Sequence, residues 1–418
     1  MDVKKIKETK KGLYYYQTED FNSVKIKFVF DIDNTKKEIL TAHILCSYLM
    51  RTNLEYESKM DIEKKCRELY STDIYAFSGS EGKKRAIVFG LSFPSPRVIG
   101  DNYFKDVCDF FKTMITKPNF KNGRLKEDIL KEIRNDISNS VRSNLSNPAF
   151  LENSILNNIV FKDSCINNEN FTTYEEFSEL LSSINETDII DLYNKTMKNY
   201  ICGYIFGNVN DSDIKYLDEN FDFSPIDFDY DYAKKEIIHE DNIEISNDTT
   251  TQSYLHVIYQ MDDYDKDNYC LYSVLSNILS CPIGPIYQVL RTELGIVYSA
   301  SAGIYGNRGV LMIDAPIDYK NKEKALKGID RIMELMHDRE YVQKLLDYIK
   351  ERRHLTFYTS EENLLANVDE MEDYILKIQA PKDERLEIID NISVDDIINE
   401  MDNMTRKFVF FFRGDKRE

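Results

Sequence analysis

Two stretches about half a chain apart run the same course. Ile184-Asn185-Glu186-Thr187-Asp188-Ile189-Ile190 leads through a helix to the apolar strand Tyr200-Ile201-Cys202-Gly203-Tyr204-Ile205-Phe206-Gly207. Ile392-Ser393-Val394-Asp395-Asp396-Ile397-Ile398 leads through a helix of similar length to Phe408-Val409-Phe410-Phe411-Phe412-Arg413-Gly414-Asp415. Each reads as helix, apolar strand, then glycine. Internal duplication accounts for the pair most simply, although helix–strand–glycine is common enough to recur by coincidence. A duplicated chain of 418 residues divides into two similar parts, each with its own core. Asp218 to Glu244, rich in acidic and aromatic residues, reads as a surface linker. The expected division is therefore 1–225, an acidic linker at 226–245, and 246–418.

In the first part, strands fall near 12–18 and 23–31 and helices near 37–53 and 58–70. A strand pair follows at about 73–79 and 84–93, turned by Gly79-Ser80-Glu81-Gly82-Lys83. Long amphipathic helices are expected near 101–117, 124–147 and 173–199, ahead of the strand at 200–206. The second part contains a hairpin of Val297 to Ile304 and Val310 to Ile317, turned by Gly306-Asn307-Arg308-Gly309. Helices cluster instead of alternating singly with strands, so the class is α+β.

Charge removes one class of function. The 73 acidic residues outnumber 54 basic ones, for a net charge of −19, so no sustained nucleic-acid binding is expected, because phosphate contacts require clustered Lys and Arg. No run approaches the ~20 apolar residues of a membrane span, and the basic start Met1–Lys7 lacks a following apolar signal region. Seven cysteines (46, 66, 108, 165, 202, 270 and 281) are scattered and never spaced C-x-x-C, as expected of reduced thiols in a cytoplasm.

The most informative chemistry lies in His43-Ile44-Leu45-Cys46-Ser47-Tyr48-Leu49-Met50, an apolar helix after the strand Val24 to Phe30. An H-x-x-E-H motif on such a helix puts two zinc-binding histidines on one face, with the glutamate as general base. Here His43 keeps the first position, but Cys46 replaces the glutamate and Ser47 the second histidine. A hydroxyl is a poor zinc ligand, and a thiol cannot act as a carboxylate base near neutral pH. Cys46 and His43, one turn apart, could instead form a reactive thiolate pair, though a buried cysteine acting as a small hydrophobe is commoner. No H-E-x-x-H, G-x-S-x-G, P-loop or dinucleotide fingerprint occurs.

Together with Ile286-Tyr287-Gln288-Val289-Leu290-Arg291-Thr292-Glu293-Leu294-Gly295-Ile296-Val297-Tyr298-Ser299, and with Gly207-Asn208-Val209-Asn210, these features resemble the M16 (insulinase/pitrilysin) metallopeptidases in their short two-domain processing form. The resemblance implies two homologous M16-like (LuxS/MPP-like) domains, each a mixed, largely antiparallel sheet packed with helices. It implies that Glu132, with Glu127 close by, is the counterpart of the third zinc ligand. His43, Cys46, Ser47 and Glu132 then form a degenerate metal site with no metal, Glu132 being alternatively an exposed helix residue and His43 a partly buried, satisfied histidine. It implies further that Arg291 and Tyr298 face a peptide substrate. A guanidinium offers a planar fork of donors to a carbonyl or carboxylate, and a phenol near the start of a strand adds another. The plain alternatives are a salt bridge from Arg291 to Glu293 or a nearby Asp, and core packing of Tyr298.

Short-form members pair a zinc-bearing subunit with one that supplies the arginine and tyrosine, and this chain resembles the second kind. The implied protein is non-catalytic, has no cofactor of its own, and meets a zinc-bearing M16-family partner and a peptide or small-protein substrate; alone it could form a homodimer. The glycine-rich loop of some such partners is absent, and Gly totals 15. Cys66-Arg67-Glu68-Leu69-Tyr70-Ser71-Thr72-Asp73-Ile74-Tyr75-Ala76 is also similar to the L-Y-G-A segment of a paired M16-like group in Gram-positive bacteria associated with elongation factor P modification, with Ser71-Thr72 in place of glycine. Two readings stay open beside the split peptidase: a stand-alone peptide-binding scaffold, and a residual hydrolase using His43, Glu132 and Cys46.

Overall fold

The computed structural model describes residues 1–81, 84–160, 170–228, 242–261, 268–305 and 309–415. Its strands are β1 (Lys7–Glu8), β2 (Leu13–Gln17), β3 (Ser23–Ile32), β4 (Asp73–Glu81), β5 (Lys84–Pro94), β6 (Tyr200–Gly207), β7 (Ile243–Asn247), β8 (Ser253–Gln260), β9 (Ser301–Tyr305), β10 (Val310–Ile317) and β11 (Thr405–Gly414). The helices of the first half are α1 (Lys36–Leu49), α2 (Lys59–Glu68), α3 (Pro96–Ile99), α4 (Phe104–Thr116), α5 (Glu127–Ser146), α6 (Pro148–Val160), α7 (Tyr174–Ser183), α8 (Glu186–Thr196) and α9 (Asp211–Asn220). Those of the second are α10 (Tyr269–Ser280), a π-helix (Tyr287–Glu293), α11 (Lys322–Leu335), α12 (Arg339–Ser360), α13 (Leu364–Ile375), α14 (Lys382–Asn391) and α15 (Val394–Asn403).

The chain forms two units. One comprises Met1–Asn144, Asn168–Asp231 and Leu364–Lys377; the other comprises Leu145–Asn167, Tyr232–Asn363 and Ile378–Glu418. The first unit's sheet has the order β1-β2-β6-β3-β5-β4, with β2 and β6 parallel and the remaining pairs antiparallel. The second unit's order is β7-β11-β8-β10-β9, with β7 and β11 parallel and the rest antiparallel. These are the same plan, a mixed and largely antiparallel sheet in each unit.

Period-two alternation sets the faces. On β3, Val24, Ile26, Phe28, Phe30 and Ile32 enter the core, leaving Lys25 and Lys27 on the opposite face. On β8, Leu255, Val257 and Tyr259 enter the second core, while His256 and Ile258 are buried on the other side. That other side is covered in each unit by a helix from the opposite half of the sequence. α6 seats Leu156 and Val160 against Ile258, Met312, Phe408, Phe410 and Phe412 in the second unit. α13 belongs to the first unit, where Glu372 reaches Lys27.

The sequence repeat has a physical counterpart. α8 and α15 each begin with a reciprocal capping box, Asn185 with Asp188 and Ser393 with Asp396. The glycines that end β6 and β11 lie against backbone. A Cβ on Gly207 would stand 2.9 Å from the Ser23 carbonyl oxygen, and one on Gly414 would stand 2.6 Å from that of Gln252.

Three expectations change. The helix expected at 173–199 is two helices, because the Asn185 box starts α8 afresh after Ile184. α6 is a helix where none was expected. Val297 to Ala300 is not strand, so Tyr298 precedes β9 on a loop. Gly82, Lys83, the turn at 306–308 and most of the 226–245 linker lie outside the described residues. Among the described residues no helix is long and apolar enough to cross a membrane.

Candidate functional site

α1 starts at Thr35, whose side chain accepts from the Glu38 amide, and buries Ile39, Leu40, Ala42, Ile44, Leu45, Cys46, Tyr48 and Leu49. Cys46 is buried, and burial pushes its thiol up to about 12. It therefore stays a thiol at neutral pH, which removes the thiolate reading. Ser47 is half-buried, and His43 is exposed where a partly buried histidine was expected. Tyr48 ties this helix to the next: its hydroxyl donates to the Asn119 carbonyl at 2.9 Å and accepts from the Lys126 amide at 2.9 Å, just ahead of α5.

On α5, Glu132 is not turned over to a metal. Its Oε1 lies 2.9 Å from Nη1 of Arg51, and Nη2 of the same arginine donates to Asp136 Oδ2 at 2.6 Å. Glu132 and Asp136 are four residues apart and share a helical face, so one planar guanidinium spans both. A guanidinium beside Glu132 repels a divalent cation, while position 46 offers a protonated thiol and position 47 a hydroxyl. The donor set does not fit zinc. Among the described residues no group of three or more His, Cys, Asp and Glu side chains could hold a metal ion. Arg51 was not singled out from the sequence, since only the fold brings it to α5.

The second cluster lies in the other unit. The segment carrying Arg291 winds as a π-helix, in which the Leu294 amide donates to the Val289 carbonyl at 3.0 Å. Such wide turns are rare and recur at functional sites. The wider turn places Tyr287 and Arg291 on one face. The guanidinium carbon of Arg291 lies 5.0 Å from the Tyr287 ring centroid and 5.1 Å from that of Tyr298. Both rings lie within cation–π range of the one guanidinium.

Core packing does not describe Tyr298, and the Glu293 carboxylate has another partner. Tyr298 is 84% exposed and is not core. Glu293 is taken by Arg331, whose Nη1 lies 2.8 Å away, and it also accepts from Gln288 Nε2 at 3.2 Å. Tyr287, 41% exposed, was missed; its signal was an aromatic four residues before the arginine. The π-helix rests on α11 at Gly328, where a Cβ would stand 2.8 Å from Leu290 Cδ2 and 2.9 Å from Leu294 Cδ1.

Comparison with known proteins follows the same lines. Residues 183–353, which contain the π-helix and Tyr298, match the family model described as the peptidase M16 inactive domain. Over 432 aligned residues the chain is 19% identical to the "Probable inactive metalloprotease YmfF" of Bacillus subtilis (strain 168), covering 99% of this chain and 98% of that protein. A conserved protein from Enterococcus faecalis V583 has a similar crystal structure, with a TM-score of 0.85 at 16% identity over 99% of this chain and 100% of that one. The peptidase M16 inactive domain from Pseudomonas fluorescens gives 0.76 at 14% identity, over 99% of each chain.

Proposed function

From the premise that this chain is a non-catalytic M16-type homologue, we propose that it supplies peptide binding, through Arg291 and Tyr298, to a heterodimeric peptidase whose zinc lies in a related partner subunit. The observation that carries this reading is the exposed guanidinium of Arg291 beside the rings of Tyr287 and Tyr298. In-plane donors of this kind suit a peptide carbonyl or carboxylate, and the tyrosine hydroxyl adds a donor beside them. Contact with two rings also reduces the side-chain ordering that binding would otherwise require. Against this stands a first-unit helix whose metal and base positions are Cys46, Ser47 and an arginine-paired Glu132. In this reading Arg291 and Tyr298 bind the peptide and cleavage falls to the partner.

The test is native co-purification of the chain from its own cells, followed by peptide cleavage by the reconstituted pair. A stoichiometric partner with an intact H-x-x-E-H supports the reading. In that pair, Arg291→Ala is expected to lower cleavage about tenfold or more, the loss of one charge-assisted interaction, with assembly unchanged. Tyr298→Phe is expected to have a smaller effect of the same kind. Unaltered cleavage in both variants would remove the role assigned to them, and recovery of the chain without a peptidase would favour a stand-alone peptide-binding scaffold.

A further inference from the structure

The helix that each unit takes from the opposite half of the sequence is fixed in the same manner. A glutamate on the helix meets a base on an inner strand of the sheet, on the face away from the core. In the first unit, Glu372 Oε2 of α13 lies 2.7 Å from Lys27 Nζ of β3, with side chains 15% and 13% exposed. In the second, Glu152 of α6 pairs with Nε2 of His256 on β8. The opposite ring nitrogen, Nδ1, lies 2.5 Å from Asp314 Oδ1 on β10, the cross-strand register partner of His256. Glu152 is 3% and His256 7% exposed, and Glu152 is the one charged residue in Pro148–Val160.

This geometry selects one protonation state. A neutral imidazole donates from one nitrogen and turns a lone pair outward from the other; only the imidazolium donates from both. With carboxylate oxygens at both nitrogens, the neutral ring would set a lone pair against a buried carboxylate. We propose that Glu152, His256 and Asp314 form a pH-dependent clasp, which holds α6 on the second sheet while His256 is protonated and loosens it when His256 becomes neutral.

The surroundings leave these groups in control. From β11 the ring faces Phe410, with centroids 5.9 Å apart. Along its own strand on that face stand Ile258 and Tyr254, the latter's phenol raised by burial and, secondarily, by Glu152. Among the described residues, the charged groups facing His256 are thus Glu152 from α6 and Asp314 from β10. Burial alone would lower the imidazole, but hydrogen bonds to Asp314 and Glu152, with their charges, raise it to about 9. A histidine whose folded value exceeds its unfolded value of about 6.5 contributes stability that is full below 6.5 and is lost as pH rises through 9. The first unit supplies an internal control. Burial opposes the Lys27 charge, yet Glu372 outweighs it and holds the ammonium above its ordinary value, so Lys27 stays charged across the same window.

The test is hydrogen exchange by mass spectrometry on the whole chain, read as protection factors corrected for intrinsic rates, at pH 7 and near pH 10. Protection of α6 is expected to fall about tenfold or more, while α13 changes by less than about threefold. In His256→Gln, α6 should already be weakly protected at pH 7 and show no step. Should that variant fail to fold, carbon-13-labelled histidine in the wild-type chain gives an independent reading: one of its five histidines should titrate near pH 9. Parallel losses in α6 and α13, a step retained in His256→Gln, or no histidine titrating above about pH 8 would each overturn the clasp.

Discussion

Ser71 sits at φ +61° and Tyr70 before it at φ +55°, two left-handed residues in succession between α2 and β4. Neither is glycine, and a residue with a Cβ in that conformation costs about 1–2 kcal/mol. Tyr70 has compensation: its hydroxyl donates to Asp101 at 2.9 Å and its ring packs edge-on against Tyr103. Ser71 is exposed and sits where the resembling segment has glycine, which is now explained by backbone conformation. Ser71→Gly should therefore raise unfolding free energy by about 0.5–1 kcal/mol, after the greater freedom of glycine in the unfolded chain is subtracted. A denaturant midpoint shifted upward at constant slope checks it. Cys46 supports a second prediction. Burial holds its thiol near 12, so the native chain should leave Cys46 unmodified by iodoacetamide at pH 8, while the denatured chain reacts. Native-state labelling at Cys46, located by peptide mapping, would restore the thiolate reading.

At the scale of elements, the π-helix and α11 meet through Gly328, and its replacement separates two opposing terms. Gly328→Ala gains about 1 kcal/mol of helix propensity while displacing the buried Leu290 and half-buried Leu294, so its net effect should be small. Gly328→Val adds two more carbons in the same place without that gain. It should destabilise the chain by about 1–3 kcal/mol and weaken the peptide binding proposed for Arg291, because Tyr287 and Arg291 ride on the displaced helix. Calorimetry and peptide titration of the two variants separate these effects; equal binding by both would mean that α11 does not position the arginine. The same elements mark what the sequence disclosed. β6 and β11 were legible because an unbroken apolar run ending in glycine has few other uses, and the spacing of Arg291 and Tyr298 marked two residues that the structure brings together. The start of α8 was readable in Asn185 and Asp188, but the buried Ile184 continues the apolar period and disguises the break. α6 escaped notice because Pro148 and the asparagines read as loop, and its apolar residues answer a sheet nearly a hundred or more residues away. Arg51, Tyr287 and Glu152 acquire meaning only from contacts that no local pattern encodes.

For the molecule as a whole, the exchange of α6 and α13 means that the two halves of the sequence are not the two units of the structure. A fragment of residues 1–225 keeps α6 without the sheet that buries it and lacks the α13 that pairs with Lys27. The complementary fragment, 246–418, keeps β8, β10 and β11 but leaves Ile258, Met312, Phe408, Phe410 and Phe412 without Leu156 and Val160. Each fully buried aliphatic side chain contributes about 1.5–3 kcal/mol, and a domain's total margin is about 5–15 kcal/mol. Losing two such side chains, and leaving the phenylalanines facing water, consumes a large share of that margin. His256 and Asp314 would also lose Glu152. Neither fragment alone is therefore expected to unfold cooperatively, and each should bind a hydrophobic dye. Co-expressed, the two should recover a soluble one-to-one complex with the near-ultraviolet circular dichroism of the intact chain. Dye binding, denaturant titration and size-exclusion of each fragment and of the pair decide the matter. A fragment that unfolds cooperatively by itself would show that its own-half helices and sheet suffice, and that the borrowed helix is an addition to an already stable unit.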